Sequence, residues 1–319
     1  MFPGVENWKW NRLFFLVITL FFFRSSIICR GVFAFHIAYP FRKMGFIKKI
    51  IFDARGAYKA EFHEYKVIDH LSILNEIEFL EKTAVQHADF RMAVSNALVN
   101  YWKQNLMIKD ISNNYVVIPC TLSNDFVKPF PNPDFINQLK KKLGFNEEDV
   151  ILIFSGSSAG WQSTNTMNIL FDKLLKENDY LKIIFLGNHQ IEKYDFYKPY
   201  ADRITQKNVE PHEVLNYLYI GDYGWLVREE SVTNQVASPV KFAEYLSAGL
   251  KVLISPNLGD YSKFCIQHQC GEIIDLNKPQ LITLRKINYE EKKRLHQLAE
   301  KFFRKECYQK EYQKIIEFD

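Results

Sequence analysis

Residues Arg228–Ser255, REESVTNQVASPVKFAEYLSAGLKVLIS, read as a loop, then a helix, then a buried strand. Ser238 suits the N-cap and Pro239 the first helical position, with the helix running to about Ala248. Gly249 supplies a left-handed stop, and Lys251–Ser255 is a short apolar run suited to an interior parallel strand. Lys241 and Glu244 lie three apart, so they share a face near the positive end of the helix. A lysine in the first turn opposes the helix dipole, a local violation expected where an anion docks. The same spacing allows a solvated i,i+3 ion pair.

Outward from this stretch, strands and helices alternate. Strands are expected at Val150–Phe154, Lys182–Leu186, Arg203–Gln206, Tyr223–Val227, Lys251–Ile254 and Glu272–Ile274. Helices fall between them, at Thr164–Lys176, near Lys193–Tyr200, at Pro211–Tyr219 and at Tyr261–His268. That alternation implies a doubly wound parallel sheet in an α/β fold. A second, shorter alternation precedes it, with strands at Ile27–Cys29, Lys48–Phe52, Asp89–Val94 and Tyr115–Ile118. Its helices are Val32–Arg42, Ser72–His87 and one capped by Ser95 that runs to about Gln104. Prolines at 129, 131 and 133 stiffen a linker between the two parts. Glu290–Arg304 and Tyr308–Ile316 are charged amphipathic helices.

The motif SPVKFAEYLSAGLKVLIS resembles the signature helix of family 4 retaining glycosyltransferases of the two-domain B fold. The likeness is to the subgroup with the pattern P-x-K-x-x-E-Y-L-x-x-G. It is specific over Val150–Asp275 and looser over Ile27–Pro119. It implies two Rossmann-like domains. Residues 1–128 would form an acceptor-side domain, 134–288 a nucleotide-sugar-binding domain, and 289–319 helices packing back on the first. Only about 26 residues precede Ile27, where the family has a strand, a glycine-rich loop and further units, so the resemblance implies an incomplete N-terminal domain.

Composition sets wider bounds. The chain has 319 residues, 47% hydrophobic and 24% charged, with a net charge of +4. It can bury one large core or two ordinary ones. The weak basic bias gives no case for nucleic acid, though it is compatible with peripheral contact at an anionic membrane face. Five cysteines with no CxxC pair read as reduced structural thiols, which points to the cytoplasm. Leu13–Phe23 is too short to span a bilayer. It reads as a buried helix or strand, or as a membrane-docking face.

A glycosyltransferase must stabilise a departing diphosphate while positive charge builds at the anomeric carbon. Metal-dependent enzymes commonly show an Asp-x-Asp pair, and this sequence contains none, so no metal or other cofactor is expected. Fixed cations and helix N-termini can serve instead. Arg228 ends a strand and Lys241 opens the signature helix. Ser155-Gly156-Ser157 follows the first strand of the second domain, where a glycine lets backbone N–H groups approach phosphate. The resemblance puts Glu244 on the ribose hydroxyls of the donor, with Ser238 nearby and Asn188 and Val209 beside the base. Asp53, in the loop Asp53-Ala54-Arg55-Gly56, would face the acceptor or donor sugar; a local Asp–Arg pair explains it equally well. Arg228, Lys241 and Asp53 are thus the expected catalytic groups.

The sequence departs from the family pattern in two places. Val236 stands eight residues before Glu244, where many members carry a second glutamate. Trp161-Gln162 occupies the region of a common lysine, which matches the G-x-x-x-x-W-Q look of the subgroup. The histidines show no metal spacing, and no Ser–His–Asp or Cys–His set stands out. The expected activity is retaining transfer from a nucleotide-sugar to a glycan or lipid-linked acceptor in surface polysaccharide synthesis. The rivals are an epimerase of the same fold and an inactive fragment or binding subunit.

Overall fold

The computed structural model describes residues 15, 24–66, 71–108, 111, 114–156, 162–189, 195–277 and 282–318. Ser157, Trp161 and nearly all of the apolar segment at 13–23 lie outside them. The chain divides into two compact units. The first comprises Met1–Pro119, Ser231–Ser238 and Tyr308–Asp319, and the second Cys120–Glu230 and Pro239–Cys307.

In the first unit, strand β1 (Ser26–Arg30) is followed by helix α1 (Val32–Lys43), and β2 (Lys49–Ala54) by α2 (Tyr58–Tyr65) and α3 (Leu71–His87). Next come β3 (Phe90–Ala93), α4 (Asn96–Gln104) and β4 (Tyr115–Val117). The four strands pair in parallel in the consecutive order β1-β2-β3-β4. A consecutive order has no point where the winding reverses. Phe35, Phe52, Ile77 and Trp102 fill the core between the sheet and its helices. Ser95 caps α4 as its sequence suggests, its hydroxyl accepting the Leu98 N–H at 3.0 Å.

The second unit opens with α5 (Pro133–Lys142), β5 (Val150–Ser155), α6 (Thr164–Glu177) and β6 (Leu181–Leu186). After a 3-10 turn at Asp195–Tyr200 come β7 (Ile204–Lys207), α7 (Pro211–Ile220) and β8 (Tyr223–Leu226). A short helix α8 (Val232–Val236) belongs to the first unit. The second unit then resumes with α9 (Val240–Ser247), β9 (Lys251–Ile254), α10 (Tyr261–His268), β10 (Gly271–Ile273) and α11 (Tyr289–Phe303). Helix α12 (Gln309–Glu317) returns to the first unit and lies against β4.

The six strands of the second sheet are parallel in the order β10-β9-β8-β5-β6-β7. This is the expected doubly wound arrangement. The winding reverses between β5 and β8, and ligands of open α/β sheets bind at such switch points, outside the carboxyl ends of the strands. The inner strands are largely apolar, as burial on both faces requires, whereas the edge strands β7 (ITQK) and β10 (GEI) are only half-buried. β5, for example, is VILIFS with every residue buried.

Several sequence expectations shift. Pro239, not Ser238, occupies the cap position of α9, and no side chain caps that helix. The start moves one residue on because Pro239 keeps an extended backbone, at φ −67° and ψ 121°. Helix α2 was not foreseen: it has no side-chain cap of its own and buries only Phe62. Helix α8 occupies what reads as loop, held by the Ser231 hydroxyl accepting the Asn234 N–H. The second unit begins at Cys120, ahead of the proline-rich stretch. There Leu122 donates its N–H to the Phe303 carbonyl, and Phe130 packs against Tyr219, Tyr289 and His296. The two C-terminal helices also divide, because α11 packs along α9 within the second unit while α12 sits in the first.

Candidate functional site

The carboxyl edge of the second sheet gathers most of the residues singled out in the sequence. Ser155 ends β5 and Gly156 follows it. Asn188 follows β6, Val209 follows β7, and Arg228 lies just beyond β8. Ser155 and Arg228 therefore stand on the two sides of the switch point. Asn188 is exposed and Val209 half-buried, whereas Ser155 and Arg228 are buried.

Close backbone contacts shape this edge. A Cβ on Gly187 would come within 2.8 Å of the Gly156 carbonyl oxygen, and Gly187 has φ +125°. The two strand-end turns can approach only because residue 187 has no side chain. His189 is buried beside them, its Nε2 3.2 Å from the Leu186 carbonyl and its ring against Phe154 and Phe185. Burial lowers its pKa, so the imidazole is held neutral. It reads as a packed, neutral wedge under the turns.

On the other side, the Arg228 N–H donates to Ser255 Oγ at 3.3 Å. The adjoining Glu229 N–H donates to Ser163 Oγ at 2.7 Å, and the Glu229 carboxylate accepts the Thr166 hydroxyl. These bonds fasten the end of β8 to the start of α6. A cleft of about 150 Å³ opens at the ends of β8, β9 and β10, lined by Arg228, Glu230, Ser255, Asn257, Asp275 and Asn277 among others. Its guanidinium, carboxylates, amides and hydroxyl can both donate to and accept from a ligand rich in hydroxyls. Apart from Arg228, the sequence reading missed these residues. Their common signal is position, each following a strand at the same edge.

Lys241 and Glu244 lie on α9 and form an ion pair, with Nζ 2.6 Å from Oε2. Glu244 is buried, its side chain 11% exposed against 27% for Lys241, so the pair is not the solvated one the spacing allowed. Neither residue is among those lining the 150 Å³ cleft. The residue after Glu244 was not singled out, yet Tyr245 accepts the Ser155 N–H at 3.0 Å and donates to the Trp225 carbonyl at 3.4 Å.

Asp53 and Ser238 belong to the first unit. Asp53 lies near the carboxyl end of β2 and pairs with Arg55 at 3.4 Å and Arg30 at 4.0 Å. The local Asp–Arg pair is therefore formed. Ser238 is buried and caps no helix. Among the described residues, no group of three or more His, Cys, Asp or Glu side chains is placed to hold a metal ion. No described helix is long and apolar enough to cross a membrane.

No protein-family model matches the sequence, and a search of curated proteins gives no match. Solved structures do match. A sucrose-phosphate synthase from Thermosynechococcus elongatus aligns with a TM-score of 0.70 at 12% identity, over 99% of this chain and 80% of that one. The catalytic domain of starch synthase IV from Arabidopsis thaliana, bound to ADP and acarbose, aligns at 0.64 and 9% identity, over 99% and 78%. The lipopolysaccharide outer core galactosyltransferase WaaB aligns at 0.62 and 14% identity, over 97% and 79%. The fold is the B fold of glycosyltransferases. At these identities the likeness fixes the architecture, with its two Rossmann-like parallel sheets, and leaves the chemistry to the residues.

Proposed function

We propose that this chain is a glycosyltransferase that moves a sugar from a nucleotide-sugar onto a glycan or lipid-linked acceptor, with retention. The observation that carries the reading is the second sheet's switch point. A glycine turn after β5 and a buried arginine after β8 flank it, and α9 presents a half-buried Lys–Glu pair. Neighbours of the same fold act on sugars, and one of them was solved with ADP.

In this reading Glu244 accepts the ribose hydroxyls, while Arg228 and Lys241 face the diphosphate. The Ser155–Gly156 turn borders the same phosphates, its own N–H groups being held by the Tyr245 hydroxyl and the Leu186 carbonyl, and Ser157 and Ser238 are assigned to the donor as well. Asn188 and Val209 border the base, and Asp53 serves the acceptor side. The cations stabilise charge on the departing phosphate as the glycosidic bond breaks, and positioning supplies the rest of the barrier reduction. The lack of an Asp-x-Asp pair supports a metal-independent route. The cysteine pattern supports the cytoplasm, and surface polysaccharide synthesis, at the inner face of the membrane, is the biological setting proposed.

The test is the thermal shift of the whole chain with UDP, GDP, ADP, CMP and dTDP in turn. A ligand at about 100 times its dissociation constant stabilises the native state by roughly 2.7 kcal/mol, a rise of a few degrees. One nucleotide standing out, with the effect lost in Glu244→Ala, supports the donor site. Absence of any shift moves the reading to an inactive fragment or binding subunit. Release of free epimerised sugar-nucleotide would instead identify an epimerase.

A further inference from the structure

β5 and β8 pair in parallel through Leu152↔Tyr223 and Ile153↔Gly224, and their described pairing ends there. Continued in that register, the next rung would run from the Ser155 N–H to the Trp225 carbonyl. Tyr245 Oη lies between those two groups, accepting the first at 3.0 Å and donating to the second at 3.4 Å. A side-chain hydroxyl from α9 thus replaces a ladder hydrogen bond at the switch point of the sheet.

Gly224 makes this possible. A Cβ at that position would lie 2.3 Å from Cγ of the Tyr245 ring. The ring is fully buried. Burial also pushes the phenol's pKa up, which keeps its proton available to the Trp225 carbonyl.

We propose that Tyr245 is a positioning residue, whose hydroxyl keeps β5 and β8 from closing at their carboxyl ends and fixes the Ser155–Gly156 turn against which the donor's diphosphate docks. The proposal rests on the donor-site reading above. A direct Ser155–Trp225 bond would zip the two strands one rung further and narrow the crevice. With the hydroxyl inserted, the crevice stays open and both backbone groups stay satisfied. Glu244, the preceding residue on α9, belongs to the same helix, so the ribose and diphosphate contacts share one reference frame.

The test compares Tyr245→Phe with the wild-type chain by thermal melting, by amide exchange at Ser155 and by titration with the nucleoside diphosphate that shifts the wild type most. Phenylalanine keeps the ring and removes only the hydroxyl. The expected result is a melting point within a few degrees of wild type, exchange at Ser155 faster by roughly tenfold or more, and affinity for the diphosphate weaker by about tenfold. An unprotected Ser155 amide in the wild type overturns the inserted rung, and that measurement needs no variant. Faster exchange with unchanged affinity overturns the positioning role. If the wild type binds no nucleoside diphosphate, the donor reading falls and the positioning role with it. A Ser155 amide protected in the wild type and faster to exchange in Tyr245→Phe would then still establish the inserted rung.

Discussion

A Cβ on Gly224 would sit 2.3 Å from Cγ of Tyr245, far inside van der Waals contact. Both residues are buried, one in the middle of β8 and the other on α9. Gly224→Ala is therefore expected to destabilise the chain by at least about 1–3 kcal/mol, the usual range for overpacking. Combining it with Tyr245→Leu should cost less than the sum of the two single changes, because leucine vacates the clash. Urea midpoints of the four chains check this, and strict additivity would refute the contact.

Glu81 on α3 is completely buried and accepts the Lys59 N–H at 2.8 Å, in the first turn of α2. It does for that helix what Ala57, at its cap position, cannot. Burial pushes its carboxyl up to about 7 from 4.5, against the opposing pull of the Lys59 and Tyr58 N–H groups. Between those pH values the native state keeps a proton that the unfolded chain releases. Stability from this group is thus present below about 4.5 and lost as pH rises through 7. Glu81→Gln cannot ionise and should be more stable than wild type by roughly 1–3 kcal/mol at pH 8, with a smaller gap at pH 5. Parallel stability curves for the two proteins would contradict it.

Asp222 precedes β8 and is 2% exposed. Its two carboxylate oxygens accept the N–H groups of Ile151 and Ile287, at 2.9 and 3.0 Å. Lys292 of α11 lies 3.8 Å away and donates to the Gly221 carbonyl, with a pKa lowered chiefly by burial. Asp222→Ala strands a buried ammonium and two N–H donors, and should cost about 3–5 kcal/mol. Lys292→Met leaves a carboxylate that still holds two donors, so its cost should be the smaller. Equal denaturation midpoints for the two variants would show that the pair does not organise this corner.

The second sheet was legible because its strands are short apolar runs separated by helices of ordinary length and by turn residues. Lys251–Ile254 and Tyr261–His268 fall where periodicity puts them. What periodicity cannot register is tertiary satisfaction of a polar group. Helix α2 is capped by Glu81 from another helix, and α8 by Glu64, which accepts the Val232 and Thr233 N–H groups at 2.9 and 3.0 Å. At the site, Arg228, Lys241 and Glu244 stood out by chemistry, while Tyr245 passed as one more core aromatic. Gly224 inside the strand YGWL was the available clue, since a glycine within a strand marks a close approach.

The Lys241–Glu244 pair decides whether α9 serves a nucleotide or only itself. Both side chains keep some exposure, so breaking the pair should change stability by no more than about 1 kcal/mol. Binding is the sharper readout. If Glu244 holds the ribose, Glu244→Ala weakens a nucleoside, its monophosphate and its diphosphate by the same factor. If Lys241 faces the phosphates, Lys241→Ala spares the nucleoside and weakens the diphosphate most, and added salt shrinks that difference. Should Lys241→Ala weaken all three ligands equally, its work is to hold Glu244 in place. The diphosphate would then depend on Arg228.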